Sequence, residues 1–197
     1  MATYTDIFKI KHNNIAPEKG KILISEPFLQ DSCFQRSVVL LIEHDKNGSM
    51  GLVLNKKTDF IVNSFFPELR HFPEMPIYLG GPVSSNRLYF LHSLGKLIPD
   101  TVQINDHLYF DGDFNAIKSY ILRGNSVEGK IKFFIGYSGW TEGQLLTEIR
   151  HDSWLVSNTA SKEMFEAEDE KFWKNSLIVL GSPYETWQNY PKDPEMN

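Results

Sequence analysis

Two apolar runs, Val38–Ile42 and Met50–Leu54, flank the turn-forming residues Asp45–Gly48. An unbroken β-branched and leucine run has no polar face, so its strand must be covered on both sides. Asp45 and Asn47 favour turns, and Gly48 is free to take a positive φ. The pattern predicts a buried hairpin. Arg36, His44 and Asn55 mark the polar ends of its strands. Antiparallel pairing about residues 46–48 places Arg36 and Asn55 near one another.

The rest of the chain supplies more strands, then alternating helices. Lys21–Ser25, Pro76–Leu79, Arg87–His92, Thr101–Ile104, Leu108–Phe110, Lys130–Tyr137 and Trp154–Val156 read as strands. Phe60–Leu69 reads as a short helix, with Pro67 poorly placed in its last turn. Asp113 is a helix N-cap, with Phe114, Ile117, Tyr120 and Ile121 sharing one face and Gly124 closing the helix. Thr141 and Gln144 form a capping box, Thr141 at the N-cap. Ser138, in Gly136–Gly139, reads as a turn residue before that helix. A helical C-terminal region from Ser161 ends at Gly181 and Pro183. The expected fold class is α+β: a single domain whose mixed, mostly antiparallel sheet forms a partial barrel surrounded by helices.

The 197 residues, 41% apolar and 13% aromatic, suit one domain with a self-sufficient core. A net charge of −5, without a long Lys/Arg cluster, makes nucleic acid an unlikely partner. The single cysteine, Cys33, forms no intrachain disulfide and builds no cysteine zinc site; it has no neighbour in sequence to activate it. No apolar run approaches a membrane span and the first residues lack a signal-peptide pattern, so a cytoplasmic protein without membrane contact is expected. No cofactor or metal is implied.

Several ordered blocks resemble the YqgE/AlgH family of uncharacterised bacterial proteins. They are Gly20–Pro27, Phe34–His44, Gly48, Gly51–Asn55, Tyr78–Val83, Leu91–His92, Gly136–Trp140, Gly143–Leu145, Glu148 and Trp154. The resemblance covers roughly residues 20–181. It implies an α+β fold with a partly barrel-like sheet and a bacterial cytoplasmic protein, but no established activity. It divides the chain into an N-terminal extension (1–19), one domain (20–183) and a polar tail (184–197). The family name hints at transcriptional regulation, yet no basic recognition helix is visible.

Six residues are candidates for a ligand or interaction surface: Arg36, His44, Asn55, His92, Tyr137 and Trp140. Arg36 offers a planar fork to a carboxylate or phosphate, or to an internal partner such as Glu148 or Asp31. His44 or His92 would serve a hydrolase-like enzyme as base, or join a carboxylate at a metal if the two met in space. Tyr137 and Trp140 would wall a pocket or simply pack. Gly80–Pro82 would offer amides to an anion. The preferred reading is a non-enzymatic interaction or regulatory protein that meets a protein partner or small anionic ligand around Arg36, Asn55, Tyr137 and Trp140. Direct regulation of transcription ranks behind the enzyme. The sequence specifies no oligomeric state.

Overall fold

The computed structural model describes residues 11–158 and 161–192, and ten strands there form one sheet. The strands are β1 (Ile22–Ser25), β2 (Val38–Asp45), β3 (Gly48–Val53), β4 (Lys57–Ile61), β5 (Pro76–Leu79), β6 (Val83–His92), β7 (Val102–Asn105), β8 (Leu108–Phe110), β9 (Ile131–Thr141) and β10 (Trp154–Ser157). Their order is β10-β1-β2-β3-β9-β6-β8-β7, with β5 also on β9 and β4 on β5. Only the β5–β9 pair is parallel among the described residues. The sheet is open, as a partial barrel requires, and the fold is α+β. Its helices are α1 (Val62–Phe65), α2 (Phe114–Leu122), α3 (Gln144–Arg150), α4 (Ser161–Phe165) and α5 (Asp169–Leu180).

The hairpin forms as its pattern predicts, β2 and β3 pairing from Val39↔Val53 to Asp45↔Gly48. Both faces are covered. Val38, Leu40 and Ile42 enter one cluster with Trp173 and Leu177 of α5. Val39 and Leu41 enter another with Leu145 and Ile149 of α3. Each such fully buried aliphatic side chain contributes about 1.5–3 kcal/mol. A third cluster places Ile117 and Ile121 of α2 against Phe133 of β9 and Phe90 of β6.

β9 runs beyond the expected end at Tyr137. Its first half lies between β5 and β6, while Ser138–Thr141 pairs with β3. Gly136, at φ +67°, stands between the two halves, and a Cβ there would lie 2.7 Å from Gly81 O. The glycine therefore lets the strand change partners rather than stop. Ser138 is thus a buried strand residue, not a turn residue, and its hydroxyl donates to Gly80 O at 3.1 Å.

Three other elements depart from expectation. The helix read over Phe60–Leu69 is α1 followed by a single 3-10 turn, Pro67–Leu69, because proline starts a turn more readily than it ends one. β4 has no apolar alternation to announce it; it pairs only with β5 and is mostly exposed. α3 starts after Gly143 (φ +70°), so Thr141 is not its N-cap. The return half of the capping box survives, Gln144 Oε1 accepting from Thr141 N at 3.0 Å.

Within 184–197, Tyr184–Asn189 forms a 3-10 helix whose Trp187 is buried in the core beside α5. From the N-terminal stretch, Asn13 reaches the free side of β10. Its amide donates to Val156 O at 2.6 Å and accepts from Val156 N at 3.0 Å. A short helix or a loose lead-in is expected over residues 1–20; residues 11–20 carry no helix, and residues 1–10 lie outside the described residues.

Candidate functional site

The hairpin brings Arg36 and Asn55 together, around an internal carboxylate. Arg36 has a left-handed backbone (φ 50°) and is only 5% exposed. Its guanidinium donates to Glu170 and to Tyr190 O, and lies 5.1 Å from the Trp173 ring. The partner is therefore Glu170 of α5, not Glu148 or Asp31. Asn55 accepts from Val38 N (3.0 Å) and donates to Arg36 O (3.0 Å) and Asp169 O (2.7 Å). A cavity of about 280 Å³ adjoins this group, with Lys56, Lys57 and Lys192 on its wall.

The histidines are not brought together. His44 is the penultimate residue of β2 and shares a 2.7 Å hydrogen bond with Ser49 Oγ, its cross-strand partner. His92 lies on β6, with β3 and β9 between it and β2. It is fully buried, and Nδ1 accepts from Leu94 N, which leaves the proton on Nε2 facing Thr101 Oγ1 at 2.9 Å and Asp111 O at 3.2 Å. Burial lowers its pKa, a bond to Asp111 O opposing. His44 lines a different cavity from the one beside Arg36. Among the described residues, no three His, Cys, Asp or Glu side chains group as metal ligands.

Tyr137 and Trp140 occupy opposite faces of β9. Tyr137 packs with the α5 cluster and edge-on to Tyr89. Trp140 joins the α3 cluster, and its Nε1 donates to Glu148 Oε2 at 2.8 Å. Trp154 Nε1 donates to the same oxygen at 2.8 Å, and Gln144 Nε2 to Glu148 Oε1 at 2.9 Å. At Gly80 the amide is engaged by Ile135 O, and a Cβ would lie 2.4 Å from Gly136 O. These glycines admit the crossing of β9. Burial, with Asp31 nearby, raises Cys33 to about 11, so its thiolate is scarce near neutrality.

A different group meets in a cleft of about 430 Å³ between β5, β9, the α2–β9 loop and the α4–α5 connection. Lys132 of β9 is only 3% exposed. Its ammonium lies 3.7 Å from the Tyr78 ring centroid and donates to Ala167 O. Tyr78 Oη donates to Glu168 Oε1 at 2.7 Å, and Lys57 lies 3.6 Å from that oxygen. Phe72, Met75, Ile121, Val127 and Phe165 line much of the remainder. Burial is the largest influence on Lys132 and lowers it to about 7, Glu168 opposing and Lys57 assisting. Burial and the Glu168 bond raise Tyr78; that same bond lowers Glu168, so Glu168 carries the charge. A larger groove of about 860 Å³ runs beside α5, walled by exposed Glu163, Glu166 and Lys171, without a buried ionisable side chain. The smaller cleft holds the more distinctive chemistry.

Lys132 is hidden in the sequence because the alternation of Ile131, Phe133 and Ile135 assigns it to the polar register of its strand. The intervening register also carries Phe134, which is fully buried. A lysine in a strand apolar on both faces was the available signal. Its unfolded-state pKa is the ordinary 10.5, so stability rises with pH between about 7 and 10.5, and the full cost of the buried cation is felt below pH 7. Lys132→Met is expected to stabilise the protein by about 2 kcal/mol below pH 7, after loss of the Ala167 hydrogen bond. The gain should shrink toward pH 10. Urea unfolding at a series of pH values checks this; a gain independent of pH would refute the buried-cation assignment.

A family model described as AlgH-like matches residues 22–185. A UPF0301 protein of Parabacteroides distasonis is 64% identical over 198 residues, covering 100% of both chains. One from Bacteroides fragilis is 48% identical over 193 residues, covering 98% of each. The solution structure of the AlgH protein from Pseudomonas aeruginosa is 26% identical, with a TM-score of 0.68 over 91% of this chain and 98% of that one. A Corynebacterium diphtheriae crystal structure, 22% identical, shares the fold with a TM-score of 0.74 over 91% of this chain and 95% of its own. Among the described residues no helix is long and apolar enough to cross a membrane.

Proposed function

The chain belongs to the AlgH-like family, and on that premise we propose that it is a non-enzymatic binding protein that takes a small, mostly apolar organic ligand into the cleft over Lys132. The observation that carries this reading is the convergence of a buried lysine, a tyrosine hydroxyl and a carboxylate at one apolar cavity of metabolite size. An oxygen acceptor on the ligand would meet the lysine, and its hydrocarbon body would meet Phe72, Met75 and Phe165. Glu168 and Phe165 flank the short break between α4 and α5, so occupancy would be felt by the helices that cover β2. That route would give a regulatory protein its ligand response. Half-buried Cys33, free of any disulfide, suits a reducing cytoplasm.

2-Naphthoate is a suitable probe, with a carboxylate for Lys132 and a ring system for the apolar wall. Calorimetric titration at pH 6.5 is expected to show one site with a Kd below about 1 mM, weakened at least about tenfold in Lys132→Met. The absence of heat, or equal affinity in the variant, would remove the reading.

A further inference from the structure

The cleft holds a primary amine in a setting rarely given to lysine. Exposed lysines are almost wholly ammonium ions at neutral pH and have no lone pair to offer. Lys132 differs in three ways. It is buried, it faces a cavity large enough for an organic molecule, and one N–H is held by Ala167 O. That hydrogen bond and the Tyr78 face, 3.7 Å away, restrict where Nζ can point. Burial depresses its pKa to about 7, so much of the amine is free at neutral pH. Beside it stands the hydrogen-bonded Tyr78–Glu168 pair, with Glu168 ionised.

From this geometry we infer that Lys132 captures aldehyde-bearing ligands reversibly as an imine within the cleft. The inference rests on the binding reading above and names the ligand class. The Nζ lone pair forms the bond to the carbonyl carbon while the C=O π pair moves to oxygen. The two Nζ protons leave with that oxygen as water, and Tyr78 and Glu168 are placed to relay them. One amine and one aldehyde thus give one imine and one water, with no redox change. Hydrolysis reverses the step and releases the ligand. The fit is to an aldehyde with an apolar or aromatic body, because Phe72, Met75 and Phe165 line the cleft.

The test uses the intact protein, 2-naphthaldehyde and cyanoborohydride, which reduces an imine to a stable secondary amine. Intact mass and peptide mapping of the wild type locate the label without relying on any variant. The expected result at pH 7 is a single early adduct on Lys132, formed at least about tenfold faster than at any other lysine. Its labelling relative to exposed lysines should be greatest near pH 7 and should fall as pH rises and those amines lose their protons. Lys132→Met should lose the early adduct. Label spread over exposed lysines, or an unlabelled Lys132, would overturn the inference. The naphthoate titration separates the levels: if naphthoate binds but Lys132 resists labelling, only imine capture falls. If neither occurs, the binding reading falls with it.

Discussion

Glu170→Ala is expected to lower the unfolding free energy by about 3 kcal/mol. Arg36 is buried and its chief anionic partner is Glu170, which also receives Lys192 at 2.8 Å and Lys174 at 3.2 Å. Removing the carboxylate leaves a guanidinium with the desolvation cost and without the attraction that offsets it. The carboxylate is itself partly shielded: burial raises its pKa, but the hydrogen bonds from Lys192, Arg36 and Lys174 outweigh that and hold it at about 2. Its folded-state pKa is therefore depressed. The contribution is present above the unfolded value near 4.5 and is lost as pH falls toward 2. Chemical unfolding of wild type and variant at pH 7 and pH 3 should show the difference narrowing at the acid end. A loss of under about 0.5 kcal/mol at pH 7 would mean that Arg36 is held by Tyr190 O and the Trp173 face alone.

Glu148→Ala should cost about 2–4 kcal/mol, because two indole N–H groups lose their acceptor at once. Trp140 and Trp154 both donate to Oε2 and are both buried, while Glu148 itself is half-buried, so the two indole N–H groups depend on this carboxylate to reach an acceptor. Glu148→Gln keeps a carbonyl oxygen in place and should lose roughly half as much. Urea midpoints give the free energies, and near-ultraviolet circular dichroism reports the two tryptophans directly. Equal losses in the two variants would show that side-chain volume, not the shared acceptor, holds the indoles.

These two sites explain why the hairpin was legible and its purpose was not. β2 announced itself because both faces are apolar over consecutive residues, and that pattern is local. Asn55 meeting Arg36 followed from antiparallel pairing, again a local rule. The identity of the Arg36 partner did not follow, since Glu170 lies 134 residues away and only the docking of α5 selects it over other carboxylates. Thr141 was misread as a helix N-cap because its hydrogen bond with Gln144 is real while the strand continues through it. Of the six candidate residues, Arg36, Asn55 and His92 make internal hydrogen bonds in the core, and Trp140 shares its acceptor with Trp154. These hydrogen bonds join separate elements of the fold. Lys132 has no motif, and its interest arises from Tyr78 and Glu168, which two other chain segments bring to it.

Asn13 closes one more account. A four-residue outer strand such as β10 offers a neighbour its unpaired amide and carbonyl groups, and a side-chain amide is the smallest group that satisfies both at one residue. By engaging Val156, a residue 143 positions away, a single asparagine imitates one rung of a missing strand. The sheet's size is thus limited from outside its own strands: no eleventh strand, from this chain or a neighbour, can be laid along β10 until that amide is displaced.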